Sequence, residues 1–212
     1  MKKNLKIAAL PIEKEDQLNK QFLKIQQYYN QGYHWVVDSD IDAFFDNVDH
    51  GLLLKKVENV IHEPEICKLV RQWISADVWD GEKLFTLKKG IPQGSPISPI
   101  LANLFLDELD ERMLGKGYKF VRYADDYLVL CKNPKDASAA LELSKDILQD
   151  LRLWLDEEDI VSFDHGFKYL GVIFLRSMIM VPFAMRKKKR RVIFWPPPFD
   201  LQTYILKKRK GW

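Results

Sequence analysis

Lys119-Phe120-Val121-Arg122-Tyr123-Ala124-Asp125-Asp126-Tyr127-Leu128-Val129-Leu130-Cys131 holds two short runs rich in β-branched and aromatic residues around Ala-Asp-Asp. Such runs favour strands and aspartate favours turns, so the stretch predicts a hairpin with strands over 119–123 and 127–131. Upstream, Ser98 as cap and Pro99 at the first helical position predict a helix to about residue 114, with Leu101, Leu104, Phe105 and Leu109 inward. The segment Gly90 to Pro99 is too rich in Gly and Pro to be regular. Asp80-Gly81 signals a minor hairpin with its second strand near 84–87, and 64–75 reads as a helix with Ile66, Leu69, Val70 and Trp73 on one face. Asp46 or Asp49 caps a helix carrying Leu52, Leu53 and Val57. Residues 35–41 read as a buried strand and 16–30 as a helix. Downstream, a helix over 135–153 precedes a closing hairpin, 160–163 with 167–174, through Asp164-His165-Gly166. The major elements run β-α-β-β-α-β. That is the α+β split βαβ plan, an antiparallel sheet with helices on one face.

The chain has 212 residues, 47% hydrophobic and 30% charged, a composition that argues against wholesale disorder. No apolar run reaches the ~18 residues of a membrane span. Ile7-Ala8-Ala9-Leu10 is too short for a signal-peptide core, so a soluble, cytoplasmic protein is expected. Cys67 and Cys131 are too few for a disulfide framework. The four histidines are scattered, which predicts surface or capping roles. The net charge of +3 is uneven: from Arg186 onward ten Lys/Arg face one acid. The run Arg186-Lys187-Lys188-Lys189-Arg190-Arg191 suits a phosphate backbone or a solvated end equally well. Pro196-Pro197-Pro198 marks a stiff linker.

On the split plan, the end of the 35–41 strand lies beside the turn of the central hairpin. Asp40, Asp125 and Asp126 then converge at one sheet edge. Such carboxylates repel unless cations neutralise them, and Mg²⁺ prefers carboxylate and phosphate oxygens. Two such ions suit in-line phosphoryl transfer, with Mn²⁺ as a substitute. The plainer reading, turn and cap formers, is preferred for Asp46 and Asp49 and rejected for the three acids together.

Asp40-Ile41-Asp42-Ala43-Phe44-Phe45-Asp46, Gly90-Ile91-Pro92-Gln93-Gly94-Ser95-Pro96, Tyr123-Ala124-Asp125-Asp126 and Tyr169-Leu170-Gly171 resemble the successive palm motifs of reverse transcriptases, in the family's order. The resemblance covers about 35–174. Its flavour is that of the bacterial group II intron-like lineage, and 73–81 with 103–107 resemble CRISPR-associated members. It implies an RNA-directed DNA polymerase, in which Asp40, Asp125 and Asp126 are catalytic and hold two Mg²⁺ ions. Ile41 offers a backbone carbonyl to a metal. Asp42 and Ala43 lie under the incoming nucleotide. Phe45 is the aromatic gate against a ribose 2′-hydroxyl, Gln93 touches the nascent base pair and Gly94 lets backbone approach it. Tyr169, Leu170 and Gly171 belong to the hairpin that grips the primer. Arg122 either meets nucleic acid or braces an acid. The implied partners are an RNA template, a DNA primer and deoxynucleoside triphosphates.

Departures from the family pattern shape the domain expectation: 1–34 a helical remnant of the fingers side, 35–175 the palm, 176–212 a basic tail. No basic strand pair precedes Asp40, and 155–160 is acidic where intron-type relatives carry a Lys-Thr pair. No helical thumb is expected after Phe174. The chain is thus read as a palm with fingers and thumb truncated or absent, completed by a partner protein or a CRISPR integrase. The alternative is a non-catalytic nucleic-acid-binding palm module or a split-enzyme subunit. A nucleotide cyclase shares the plan, but the Pro-Gln-Gly loop and Phe45 argue against it.

Overall fold

In a computed structural model, residues 11–180 apart from Asp80 are described, and side chains are described from residue 18 on, except at 78 and 85. The order is α1 (Pro11–Asn30), β1 (Trp35–Ile41), α2 (Phe44–Asn47), α3 (His50–Val60), α4 (Pro64–Ile74), β2 (Asp77–Trp79), β3 (Leu84–Thr86), α5 (Ser98–Gly115), β4 (Lys119–Tyr123), β5 (Asp126–Cys131), α6 (Pro134–Asp150), β6 (Leu155–Ser162), β7 (Phe167–Tyr169), β8 (Val172–Leu175) and β9 (Met178–Met180). The main sheet has the order β4-β5-β1-β6, every neighbour antiparallel. That is the expected split βαβ plan. No described helix is long and apolar enough to cross a membrane.

Alternation along the strands builds two cores. Val37 and Ile41 of β1 and Tyr127, Val129 and Cys131 of β5 bury against α2, α3, α5 and α6, where Phe44, Leu53, Phe105, Leu109 and Ile147 fill the layer. Fully burying each such side chain stabilises the fold by ~1.5–3 kcal/mol. On the other face, Val36, Leu128 and Leu130 pack with Ile25 of α1 and with Phe163, Phe167, Tyr169 and Phe174. A helix and a second sheet, β7-β8-β9, thus cover part of the face opposite the main helices.

Three local expectations are corrected. Residues 160–163 do not pair with 167–174. Residues 160–162 end β6, which pairs with β1 (Val37 opposite Ile160, Asp38 opposite Asp159), while the closing hairpin is β7–β8. The acidic run 156–159 obscures that strand, because an edge strand carries charge outward freely. Ser98 is the first residue of α5, not its cap; its Oγ donates to the Pro92 carbonyl at 2.6 Å and pins the preceding loop. In α4 only Val70 and Ile74 are buried, while Ile66, Leu69 and Trp73 stay exposed. Asp49 does cap α3, accepting the Leu52 N–H at 2.8 Å.

Candidate active site

Strand residues two apart share a face. Asp38 and Asp40 therefore point to the side of Val36, away from the main helices, as Asp126 does with Leu128. Ser39 pairs with Tyr127, and one step further brings Asp40 beside Asp126. Asp125 occupies the β4–β5 turn, after Ala124 in the left-handed region (φ 56°). From β6, Asp159 stands opposite Asp38. Sequence reading missed Asp38, Glu157 and Asp159 as members of this edge. The i, i+2 spacing of Asp38 and Asp40 was the available signal.

Burial, then repulsion by Asp125, holds the Asp40 carboxyl above its ordinary range. Burial, then Asp40 and Asp125, does the same for Asp126. Asp38 is pushed up to about 6 by burial first, then by Asp126, Asp159, Glu157 and Asp40. A carboxyl whose folded value exceeds its unfolded one costs stability as it ionises. For Asp38 this penalty is absent below the unfolded value of 3.8 and complete above about 6. Asp38→Asn is therefore expected to melt higher than wild type at pH 8 and nearly equal to it at pH 3.5, measured in EDTA. A larger advantage at acid pH would contradict the sign.

Two side chains hold the acidic turn from opposite sides. Arg122, 8% exposed in its side chain, makes a two-pronged ion pair with Asp110 of α5: Nε to Oδ1 and Nη2 to Oδ2, both 2.7 Å. Its Nη1 donates to the Ala124 carbonyl at 2.7 Å and to Asn103 Oδ1 at 3.1 Å. The guanidinium is a strut inside the protein, which decides between the two roles open for it in the sequence. From the second sheet, the buried Tyr169 hydroxyl donates to the Asp126 carbonyl at 3.3 Å. Burial, then the charges of Asp126 and Asp38, keeps that phenol protonated.

The other expected site residues lie around this edge. Ile41 is buried at the end of β1. Asp42 is exposed; its N–H donates to the Trp154 carbonyl at 3.0 Å, and its own carbonyl accepts Asn47 Nδ2 at 2.9 Å. Ala43 is left-handed (φ 39°) and opens α2. Phe44 is buried and Phe45 is half-buried against it, ring centroids 5.3 Å apart. Gln93 and Gly94 are exposed, Gly94 with φ 88° and open space where a Cβ would stand. Their loop is docked on α2: the Gly90 N–H donates to Val48 O and Ile91 N–H to Phe45 O, both 2.7 Å. A Cβ on Gly90 would meet the carbonyls of Phe45 and Asp46 at 2.9 Å, so only glycine allows this approach. His50 Nε2 donates to the Gly90 carbonyl at 2.6 Å, an anchor the sequence did not signal. Leu170 and Gly171 turn β7 into β8, both with positive φ. Arg186, Lys187, Lys188, Lys189, Arg190 and Arg191 lie outside the described residues.

Among the described residues, no group of three or more His, Cys, Asp or Glu side chains closes into a metal-binding cluster. The side-chain donors at the edge are carboxylate oxygens, and such a set suits a hard cation. Its repelling, partly buried charges would be relieved by one.

Comparison with known proteins follows the same outline. A family model described as reverse transcriptase (RNA-dependent DNA polymerase) matches residues 2–174. Protein YkfC of Escherichia coli is 30% identical over 180 residues, covering 68% of this chain and 47% of that protein. The group II intron-encoded protein LtrA of Lactococcus lactis is 34% identical over 91 residues, 43% of this chain and 15% of that one. The chain thus spans about half or less of the length of these relatives. The fold is shared with telomerase from Candida albicans in complex with a TWJ fragment of telomeric RNA. The TM-score is 0.65 at 14% identity, covering 92% of this chain and 37% of that chain.

Proposed function

This chain belongs to the reverse transcriptase family, and from that premise we propose that residues 35–175 form a palm that adds deoxynucleotides to a primer 3′-hydroxyl on an RNA template. The observation that carries the reading is the placement of Asp40 and Asp126 side by side on one sheet face, with Asp125 in the adjoining turn. Asp40, Asp125, Asp126 and the Ile41 carbonyl would hold two Mg²⁺ ions. Bound there, these ions supply Lewis acidity to the attacking hydroxyl and the departing pyrophosphate. The chain's own residues do the rest. Arg122 and Tyr169 fix the acidic turn from both sides. Asp42 and Ala43 form the floor beneath the incoming nucleotide. The loop docked through Gly90 presents Gln93 and Gly94 to the nascent base pair, and the hairpin of Tyr169, Leu170 and Gly171 meets the primer end through its Leu170-Gly171 turn, the buried Tyr169 serving it from within. Template RNA, primer and any protein that completes the grip belong to the same proposal.

Primer extension on poly(rA)/oligo(dT) with Mg²⁺ or Mn²⁺ tests this reading. Extension by wild type supports it. A second reading, a palm module that binds nucleic acid without catalysis, draws on the lack of a closed three-carboxylate cluster among the described residues. Extension absent in Mg²⁺ and Mn²⁺, with neighbouring gene products added, would leave that second reading standing.

Two further results are expected. Mg²⁺ raises the melting temperature of wild type by a few degrees, because a ligand that binds only the folded state stabilises it. The rise disappears in Asp125→Asn/Asp126→Asn, and an equal rise there would place the cation elsewhere. Phe45→Ala admits ribonucleotides, because the ring that would collide with a 2′-hydroxyl is gone. Removing such a steric clash is worth roughly 1–3 kcal/mol, a ~10–200-fold fall in sugar discrimination. Unchanged discrimination would remove the gate role from Phe45.

A further inference from the structure

At the end of the sheet opposite the acids, three lysines from three elements gather around two tyrosines. Lys24 of α1 places its ammonium 5.7 Å from the Tyr28 ring centroid. Lys119, the first residue of β4, lies 5.7 Å from Tyr28 and 5.8 Å from Tyr33. Lys132, just past β5, lies 5.3 Å from Tyr33. The two rings are 6.0 Å apart, so neighbouring ammonium groups share a ring. Among the described residues, none of the three makes an ion pair with a carboxylate. Burial, opposed by the charge of Asp110 whose oxygens Arg122 holds, pulls the Lys24 ammonium below its ordinary range, and its Nζ donates to the Phe120 carbonyl at 3.3 Å. Asp136 Oδ2 accepts Asn133 Nδ2, while Asn133 caps α6 by accepting the Asp136 N–H. A ring face offsets an exposed ammonium by only ~0.5–1 kcal/mol, so Lys119 and Lys132 keep most of their positive field and Lys24 adds to it from a partly buried position.

We propose that Lys24, Lys119 and Lys132, with the hydroxyls of Tyr28 and Tyr33, form a second nucleic-acid site that takes the phosphate backbone of a single strand without regard to sequence. Lysine is a strongly hydrated point charge, suited to phosphates rather than to forked recognition of base edges. Alternating cations and aromatic rings make the surface on which single strands lie. Burial and Tyr33 outweigh the pull of Lys119 on the Tyr28 phenol, which stays protonated and able to donate. Lys119 and the acidic turn stand at opposite ends of β4, roughly 13 Å apart at strand rise. The strand held here is therefore a different segment from the one at the acids. The site does not depend on the proposed catalysis.

The test uses the full chain and a short fluorescent oligo(rU), with anisotropy read between about 50 and 200 mM salt. Lys24→Gln/Lys119→Gln/Lys132→Gln is expected to make the slope of log affinity on log salt shallower by about 2, at ~0.7 per lost phosphate contact. Lys24→Arg/Lys119→Arg/Lys132→Arg, which keeps charge and fold, holds the wild-type slope. The same slope is expected in EDTA, where no divalent cation reaches the acids, so failure of the catalytic reading leaves this result untouched. Photocrosslinking with 4-thiouridine-containing oligo(rU) on wild type is expected to mark the peptide carrying Tyr28 and Tyr33, whether or not the glutamine variant folds. Adducts confined to other peptides, an unchanged slope, or displacement of the RNA by oligoglutamate at equal concentration would each overturn the proposal, the last in favour of an acidic protein.

Discussion

Asp125→Asn is expected to abolish primer extension while leaving the chain folded and at least as stable as wild type. The two halves of this result have one physical cause. Asp125 sits in a turn, half-exposed, where an amide of the same shape disturbs no packing. Its charge is part of what lifts the neighbouring Asp40 and Asp126 carboxyls above their ordinary range. Neutralising it relieves repulsion, so the melting temperature in EDTA rises or holds. The same charge is a ligand in the proposed mechanism. Losing one ligand of a paired-cation site removes several kcal/mol of transition-state stabilisation, a fall of about a thousandfold or more in rate. Single-turnover extension and a melting curve on one preparation check both halves. Activity within tenfold of wild type would remove Asp125 from the mechanism. A large loss of stability would make it a structural residue.

The part of this edge that was legible in sequence is the part that depends on local signals. β1, β4, β5 and the turn between them announce themselves through short β-branched and aromatic runs around aspartates, and their order forces the split βαβ plan. What was not legible depends on partners distant in sequence. β6 carries Asp156, Glu157, Glu158 and Asp159, an acidic stretch without the apolar alternation that marks a strand. It is a strand because β1 offers it a free edge, and strand preference depends on such context more than helix preference does. The same pairing brings Asp159 and Glu157 to the acids, so the extent of the negative cluster could not be read before the register was known. Ser98 has the chemistry of a cap, but the carbonyl of Pro92 lies within its reach and takes its hydroxyl. Nothing local marks His50 beyond a surface or capping role, because its partner, Gly90, is forty residues on.

Arg122 shows what becomes of a residue whose role the sequence leaves open, and Arg122→Ala is expected to produce the larger structural failure. The side chain is nearly buried, its Asp110 partner is 27% exposed, and four hydrogen bonds converge on one guanidinium. Removing one partner of such a pair leaves an uncompensated carboxylate, at a cost of ~3–5 kcal/mol when both are fully buried. Partial access of Asp110 to water places the expected loss at the low end, about 3 kcal/mol, read as a shift in the urea midpoint. The same substitution frees the Ala124 carbonyl, so the turn carrying Asp125 and Asp126 loses one of its two supports. Arg122→Lys separates the two effects. A lysine keeps the charge opposite Asp110, but it cannot span both carboxylate oxygens and the Ala124 carbonyl with a planar fork. It is expected to recover much of the stability and little of the activity, the loss falling on kcat while the KM for primer-template stays near wild type. Equal recovery of both would mean that charge alone suffices and that the guanidinium does not position the acids.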